Sequence, residues 1–277
     1  MVRRGGSRPS GEVAAVPCRT SMKPPLPYLL CNLVGYMTTR AVCLALSRDV
    51  ARGLLPAGLE LDDQTLTPAG THPLAFHFSD ILGAQLTVPN LLPNLSYCEL
   101  IISLPFVRST TRPRRETEPW SYLPRLFLNN AIAVAGGLIW YGFPKVRVGY
   151  QRSERGYRIV NADGSPVISV EYAASGPRTS ADDAPGFDRM RQTFDQPIYV
   201  QLPFGVGPLR GCTHFERKWS DATVRPLTAA MTIDEAFLPG LPLGRFEGTS
   251  ERMADLGAFE ISARFRQTLA YPEQLAV

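Results

Sequence analysis

AIAVAGGLIWYGFPKVRVGY, residues 131–150, is apolar for most of its length and carries one amine, Lys145. A lysine in apolar surroundings loses hydration, which disfavours its charged form. A neutral amine at working pH attacks carbonyls and can form a Schiff base. The chain has three lysines in all, Lys23, Lys145 and Lys218, among 29 basic residues. Elsewhere positive charge is supplied by Arg, which stays protonated. Lys145 therefore stands where amine chemistry rather than charge accounts for it. The plainer alternative is that Lys145 ends a buried strand and snorkels its head group to water.

The wider run FLNNAIAVAGGLIWYGFPK, residues 127–145, resembles the acetoacetate decarboxylase family. That family has a strand ending in a Leu-Asp-Asn-like turn, an Ala/Gly-rich apolar segment, and an aromatic-Pro-Lys whose Lys forms the Schiff base. The spacing from Asn129 to Lys145 matches without a gap. YCELIISLPF (97–106) is similar to the family's Tyr-x-Glu segment, which implies an active-site carboxylate at Glu99 beside Tyr97. LLPAGLEL (54–61) is similar to a Pro-containing apolar turn. The resemblance spans most of residues 30–270 and is specific around Lys145. Acetoacetate decarboxylase is itself a standard example of a lysine activated by desolvation or a neighbouring cation.

The departures are chemical. Val146 stands where the family commonly has a second Lys, and Leu138 and Ile139 stand where Arg-Glu follows Gly137. Arg40 is the nearest candidate for the Arg that holds a substrate carboxylate. His77 and Asp80 are the polar candidates for a further family Glu. A pocket without these charges is expected to bind a small anionic keto acid poorly and to accept a larger, more apolar carbonyl compound.

Composition narrows the classes. At 277 residues with 44% hydrophobic and 19% charged residues, the chain can bury a large core without disulfides or metals. A net charge of +4 with no basic patch points to no nucleic-acid partner. The five cysteines, Cys18, Cys31, Cys43, Cys98 and Cys212, lack a Cys-x-x-Cys spacing and read as reduced thiols in a cytoplasmic protein. His72, His77 and His214 form no metal-ligand pattern, and no phosphate loop or nucleophile elbow occurs. No cofactor, metal or membrane partner is expected.

Residues 1–22 read as a flexible tail, with Met22 as a candidate start, ahead of one domain over 23–277. Residues 25–46 are too interrupted by Asn32, Thr38, Thr39 and Arg40 for a membrane span and read as two strands, or a turn and a strand. Ser47 caps a short helix ending at Gly53 or Pro56. Strands are predicted over 72–82, 94–109, 197–203, 212–219 and 258–269, with a hairpin of 157–160 and 167–172 around Gly164. Residues 111–120 and 177–188 read as loops, and 232–237 as a short helix.

Many short strands and few helices point to a sandwich or barrel. The resemblance implies a mainly β, α+β fold with curved antiparallel sheets closed around a central pocket. It implies Lys145 as nucleophile and Glu99 as proton shuttle. Arg40, His77, Asp80, Tyr97 and Phe143 are the substrate-binding candidates, with Trp140 or Tyr141 as further wall residues. The expected activity is that of a lyase decarboxylating a β-keto acid or related small carbonyl compound through an iminium. The alternatives are an aldolase-dehydratase or cyclase on a larger keto substrate, and a non-catalytic binding protein. The resemblance also implies homo-oligomeric assembly.

Overall fold

The computed structural model describes residues 31–87, 94–110, 119–202, 209–248 and 256–269. The first strands are β1 (Cys31–Ser47), β2 (Leu59–Leu61), β3 (Thr71–Leu86), β4 (Leu95–Ser109) and β5 (Trp120–Leu128). Then come β6 (Lys145–Arg147), β7 (Gly149–Ser153), β8 (Gly156–Val160), β9 (Pro166–Ala174) and β10 (Thr179–Ser180). The last are β11 (Ile198–Leu202), β12 (Leu209–Arg217), β13 (Thr223–Ile233), β14 (Gly244–Glu247) and β15 (Ala258–Leu269). The helices are α1 (Arg48–Gly53), α2 (Ala131–Tyr141) and α3 (Phe187–Arg191).

The sheet runs β1-β3-β4-β5-β11-β12-β15, and β15 pairs back onto β1, so these strands close a ring. The closure is long, antiparallel from Cys31 opposite Leu269 to Val42 opposite Ala258. One joint, β5 to β11, is parallel. From β15 the sheet continues as an arm, β13-β9-β8-β7.

Period-two alternation sorts the ring's side chains into two faces. Val42, Phe76, Phe78, Leu100 and Ile102 turn outward and pack with Ile159, Ile168 and Met231 of the arm. The inward face divides along its length. Ala41, Cys43, Ile261 and Ala263 pack with Phe187, Met190 and Phe194 from around α3. Met37, Ile81, Tyr97, Leu126 and Phe265 form the other inner layer with Tyr141 and Phe143. One end of the ring is thus plugged, and the other is roofed by α2.

Local chemistry explains several elements. The Ser47 side chain accepts from Val50 N, as expected, and Asp49 lies in the first turn of α1. Gly164, at φ 86°, supplies the left-handed residue between β8 and β9. Strands β3, β4, β11, β12 and β15 fall where the pattern predicts them.

Other expectations are corrected. Residues 31–47 form one continuous strand with a partner on each side, which overturns the two-strand reading and agrees with the strand of the alternative one; residues 25–30 lie outside the described residues. No helix forms over 232–237: β13 runs to Ile233 and pairs with β9 and β14. The sequence reading leaves β13 unassigned, and Pro226 lies inside it. The stretch 177–188 holds β10 and the start of α3. The tail 1–22 with Cys18, and residues 111–118 of the expected charged loop, lie outside the described residues. Cys43 and Cys98 are free thiols. No helix among the described residues is long and apolar enough to cross a membrane.

Candidate active site

The apolar stretch 131–141 is a helix, not the strand its hydrophobicity allows. Asn130 caps it, its side-chain oxygen accepting from Ile132 N at 2.9 Å and Ala133 N at 3.0 Å. Gly142 ends it at φ 65°, with Gly142 N donating to Leu138 O and Phe143 N to Gly137 O. The chain then turns through Phe143-Pro144, and Lys145 opens β6 in parallel register opposite Leu126 of β5. This strand–helix–strand unit brings Lys145 back beneath α2. Its Nζ donates to Ala133 O at 3.3 Å.

Gly137 is what allows the amine to lie there. A Cβ on Gly137 would stand 2.2 Å from Lys145 Cε and 2.6 Å from Nζ. The side chain therefore lies flat against the helix backbone, in space that any other residue would occupy.

Lys145, Glu99, Tyr97 and Phe143 all line one pocket at the α2 end of the ring, with a cavity volume of about 100 Å³. The rest of the wall is mainly aliphatic and aromatic, with Ile81, Leu126, Phe215 and Phe265 at its sides. Tyr141 stacks on Phe143 at a centroid distance of 5.0 Å, and both face the pocket. Of the expected wall residues, the Trp140 side chain lies outside the described residues.

Burial acts on the two charged groups in opposite senses. Desolvation lowers the Lys145 amine below its ordinary value, and the Glu99 charge pushes it partly back. Desolvation raises the Glu99 carboxyl, with Lys145 and Arg217 pulling it partly down. Both shifts run toward the uncharged forms. The Tyr97 hydroxyl, raised chiefly by burial and then by Glu99, stays protonated as a donor.

The remaining candidates lie elsewhere. Arg40 and Asp80 occupy the outward face, between ring and arm. Arg40 Nη1 donates to Asp80 at 2.7 Å, its Nη2 lies 2.9 Å from Glu260, and its guanidinium sits over the Tyr157 and Tyr172 rings. Tyr157 also donates to Asp80, and Arg178 pairs with Glu260. His77 turns inward but deeper, stacked on Phe194 at 4.2 Å and 4% exposed. Burial, then the Arg217 charge, lowers it to about 3, so it is neutral.

Register explains these placements. Asp80 is opposite Cys98 and Ser79 opposite Glu99, so Asp80 and Glu99 point to opposite faces. The family-position departures are relocated for the same kind of reason. Leu138 and Ile139 are 49% and 55% exposed on the outer side of α2, so their apolarity does not alter the pocket. Val146 alternates away from Lys145 and packs with the outward cluster.

Arg217 was not legible in the sequence. It lies two residues from the pocket residue Phe215 on β12, between the Phe194 ring at 4.4 Å and the Phe215 ring at 4.7 Å. Burial lowers it to about 10, which leaves it cationic at neutral pH. Its only signal was period two from Phe215.

The outward network has a testable consequence. Arg40→Met leaves Asp80 and Glu260 short of a buried partner, which costs about 3 kcal/mol. The expected result is a clear fall in melting temperature, with the acylation rate of the Lys145 amine in the folded fraction unchanged. A loss of Lys145 reactivity without loss of stability would instead mark Arg40 as part of the site.

No protein-family model matches the chain, and no curated protein matches it. Solved structures do. The enduracididine biosynthesis enzyme MppR, complexed with pyruvate, superposes with a TM-score of 0.59 at 16% identity, over 89% of this chain and 90% of that one. An acetoacetate decarboxylase-like enzyme from Sphingomonas wittichii RW1 gives 0.56 at 13% identity, over 88% and 94%. Acetoacetate decarboxylase from Legionella pneumophila gives 0.52 at 14% identity, over 94% and 92%. The chain therefore has the acetoacetate decarboxylase-like fold, at a sequence distance where similarity speaks for the fold alone.

Proposed function

We propose that the chain is a Schiff-base enzyme in which Lys145 is the nucleophile and Glu99 the proton shuttle, acting on a β-keto acid or related carbonyl compound. The observation that carries this reading is the buried pair itself: an amine lowered and a carboxyl raised by the same dry pocket. The neutral amine adds to a ketone carbonyl. Glu99 gives its proton to the departing hydroxyl, so water leaves and the products are an iminium cation and the Glu99 carboxylate. Charge is zero before and balanced after, and the ion pair forms only once the covalent bond exists.

The iminium is an electron sink. From a β-keto acid the bond to the carboxylate breaks, CO₂ leaves, and its electron pair becomes the enamine. From a substrate without that carboxylate, Glu99 removes a proton from the adjacent carbon to reach the same enamine. The second route, serving aldol, dehydration or ring-closing chemistry on a larger keto substrate, is favoured by the apolar wall.

Borohydride trapping tests the proposal. The protein is incubated with a panel of acidic and neutral keto compounds, reduced, and analysed by intact mass and peptide mapping. A reduced adduct on Lys145 that disappears in Lys145→Ala supports the reading, and its mass reports whether CO₂ was lost. A folded protein that traps nothing would turn the reading to a binding protein on this scaffold.

A further inference from the structure

Among the described residues the pocket wall holds one basic side chain, Lys145, and that is the group that takes the carbonyl carbon. Arg217 lies behind Phe215, its guanidinium held by two ring faces and by the Phe194 carbonyl, which it meets at 3.0 Å. Arg40 is on the other side of the sheet. A carboxylate on the substrate would thus enter an apolar cavity beside Glu99 with no second basic group on the wall to receive it, and burying an unpaired charge is costly. A neutral substrate keeps the site's charge balanced at each stage.

The wall also states where the rest of the substrate goes. From Lys145 it continues outward along Leu33, Leu86, Leu95 and Ile132. Ile132 both lines the pocket and is 48% exposed, so the apolar surface reaches solvent at the first turn of α2. Tyr97 and Gln267 supply neutral hydrogen-bonding groups on the wall.

We infer that this site takes an uncharged ketone bearing a hydrocarbon arm, with the carbonyl at Lys145 and the arm along Leu33, Leu86 and Leu95 toward Ile132. The inference rests on the Schiff-base reading for the position of the carbonyl. It goes beyond that reading in excluding short keto acids as the preferred class.

The test measures binding and trapping separately on the full chain. Calorimetric titrations with 2-pentanone, 2-heptanone and 2-nonanone give the dependence on arm length, and acetoacetate and levulinate give the dependence on charge. Affinity is expected to rise about fourfold per added methylene, the equivalent of about 0.8 kcal/mol per buried CH₂. Both acids are expected to bind more weakly than 2-pentanone. Ile132→Ser should lower affinity for 2-nonanone more than for 2-pentanone and so flatten the rise at its longest member.

A flat response to arm length, a tighter acid than ketone, or no effect of Ile132→Ser would each overturn the inference. Borohydride reduction of the same mixtures reports on the imine alone. A steep length dependence with no adduct at Lys145 would remove the Schiff-base reading and leave the ligand class standing.

Discussion

Gly137→Ala is expected to give a folded protein that no longer forms an imine at useful rates. The new methyl would lie 2.2 Å from Lys145 Cε and 2.4 Å from Cδ. Those atoms belong to a flexible chain, so the clash is relieved by the lysine swinging away rather than by the helix moving. The substitution suits α2, since alanine is more favourable than glycine in a helix interior by about 1 kcal/mol. Stability should therefore hold or rise while the amine is displaced by an ångström or more from Ala133 O, its hydrogen-bond acceptor at 3.3 Å. A displacement of that size at a reacting centre costs on the order of 10²-fold in rate. Melting curves and borohydride trapping, run together, check it. Undiminished trapping would mean that the amine works from another position than the one against α2.

Glu99→Gln carries the second large effect. Removing a positioned acid–base group lowers rate by roughly 10² to 10⁴-fold. The pH dependence separates this from simple damage. Glu99's charge is what pushes the Lys145 amine back up, so its removal lowers that amine further. The acid limb of the trapping profile should move to lower pH even as its plateau falls.

Stability moves in a definite sense too. The Glu99 carboxyl is raised in the fold by burial. The stability it contributes is complete below the unfolded carboxyl value, about 4.3, and is lost as pH rises through the higher folded value. Gln carries no such loss. Relative to the parent, Glu99→Gln should gain in melting temperature as pH rises across that window. A pH-independent difference between the two would mean that Glu99 is not held protonated by burial.

The legible part of the site was local in sequence. Lys145 stood out because a rare amine sat in an apolar run, and Glu99 because YCELIISLPF resembles the Tyr-x-Glu segment of the acetoacetate decarboxylase family. Both line the pocket. Arg40, His77 and Asp80 were the nearest polar residues to further positions of the resemblance, and they are buried for a different reason. The outward face of the ring is covered by the β13-β9-β8-β7 arm, so it also needs satisfied charges. A strand with both faces buried gives alternation no polar side to mark, and the face of a lone charge then depends on register. The helical state of 131–141 was similarly hidden: an apolar run of that length suits strand or buried helix until the Asn130 cap and the Gly142 turn are seen to bracket it.

The amino-acid sequence by itself determined that this chain is rich in strands, that α1, the Gly164 hairpin and the closing strand β15 form where they do, and that one amine sits among apolar neighbours. These follow from side-chain period, capping and turn chemistry, which act over a few residues. Tertiary structure alone decided that β15 returns to β1 and closes the ring, that Gly137 clears room for Lys145, that Arg217 lies behind the pocket, and that Arg40 and Asp80 belong to the opposite face. Each of these is a contact between residues distant in the chain or a choice between two faces of a doubly buried sheet. Such choices are made by the packing of the whole ring, and no short window of sequence contains both partners.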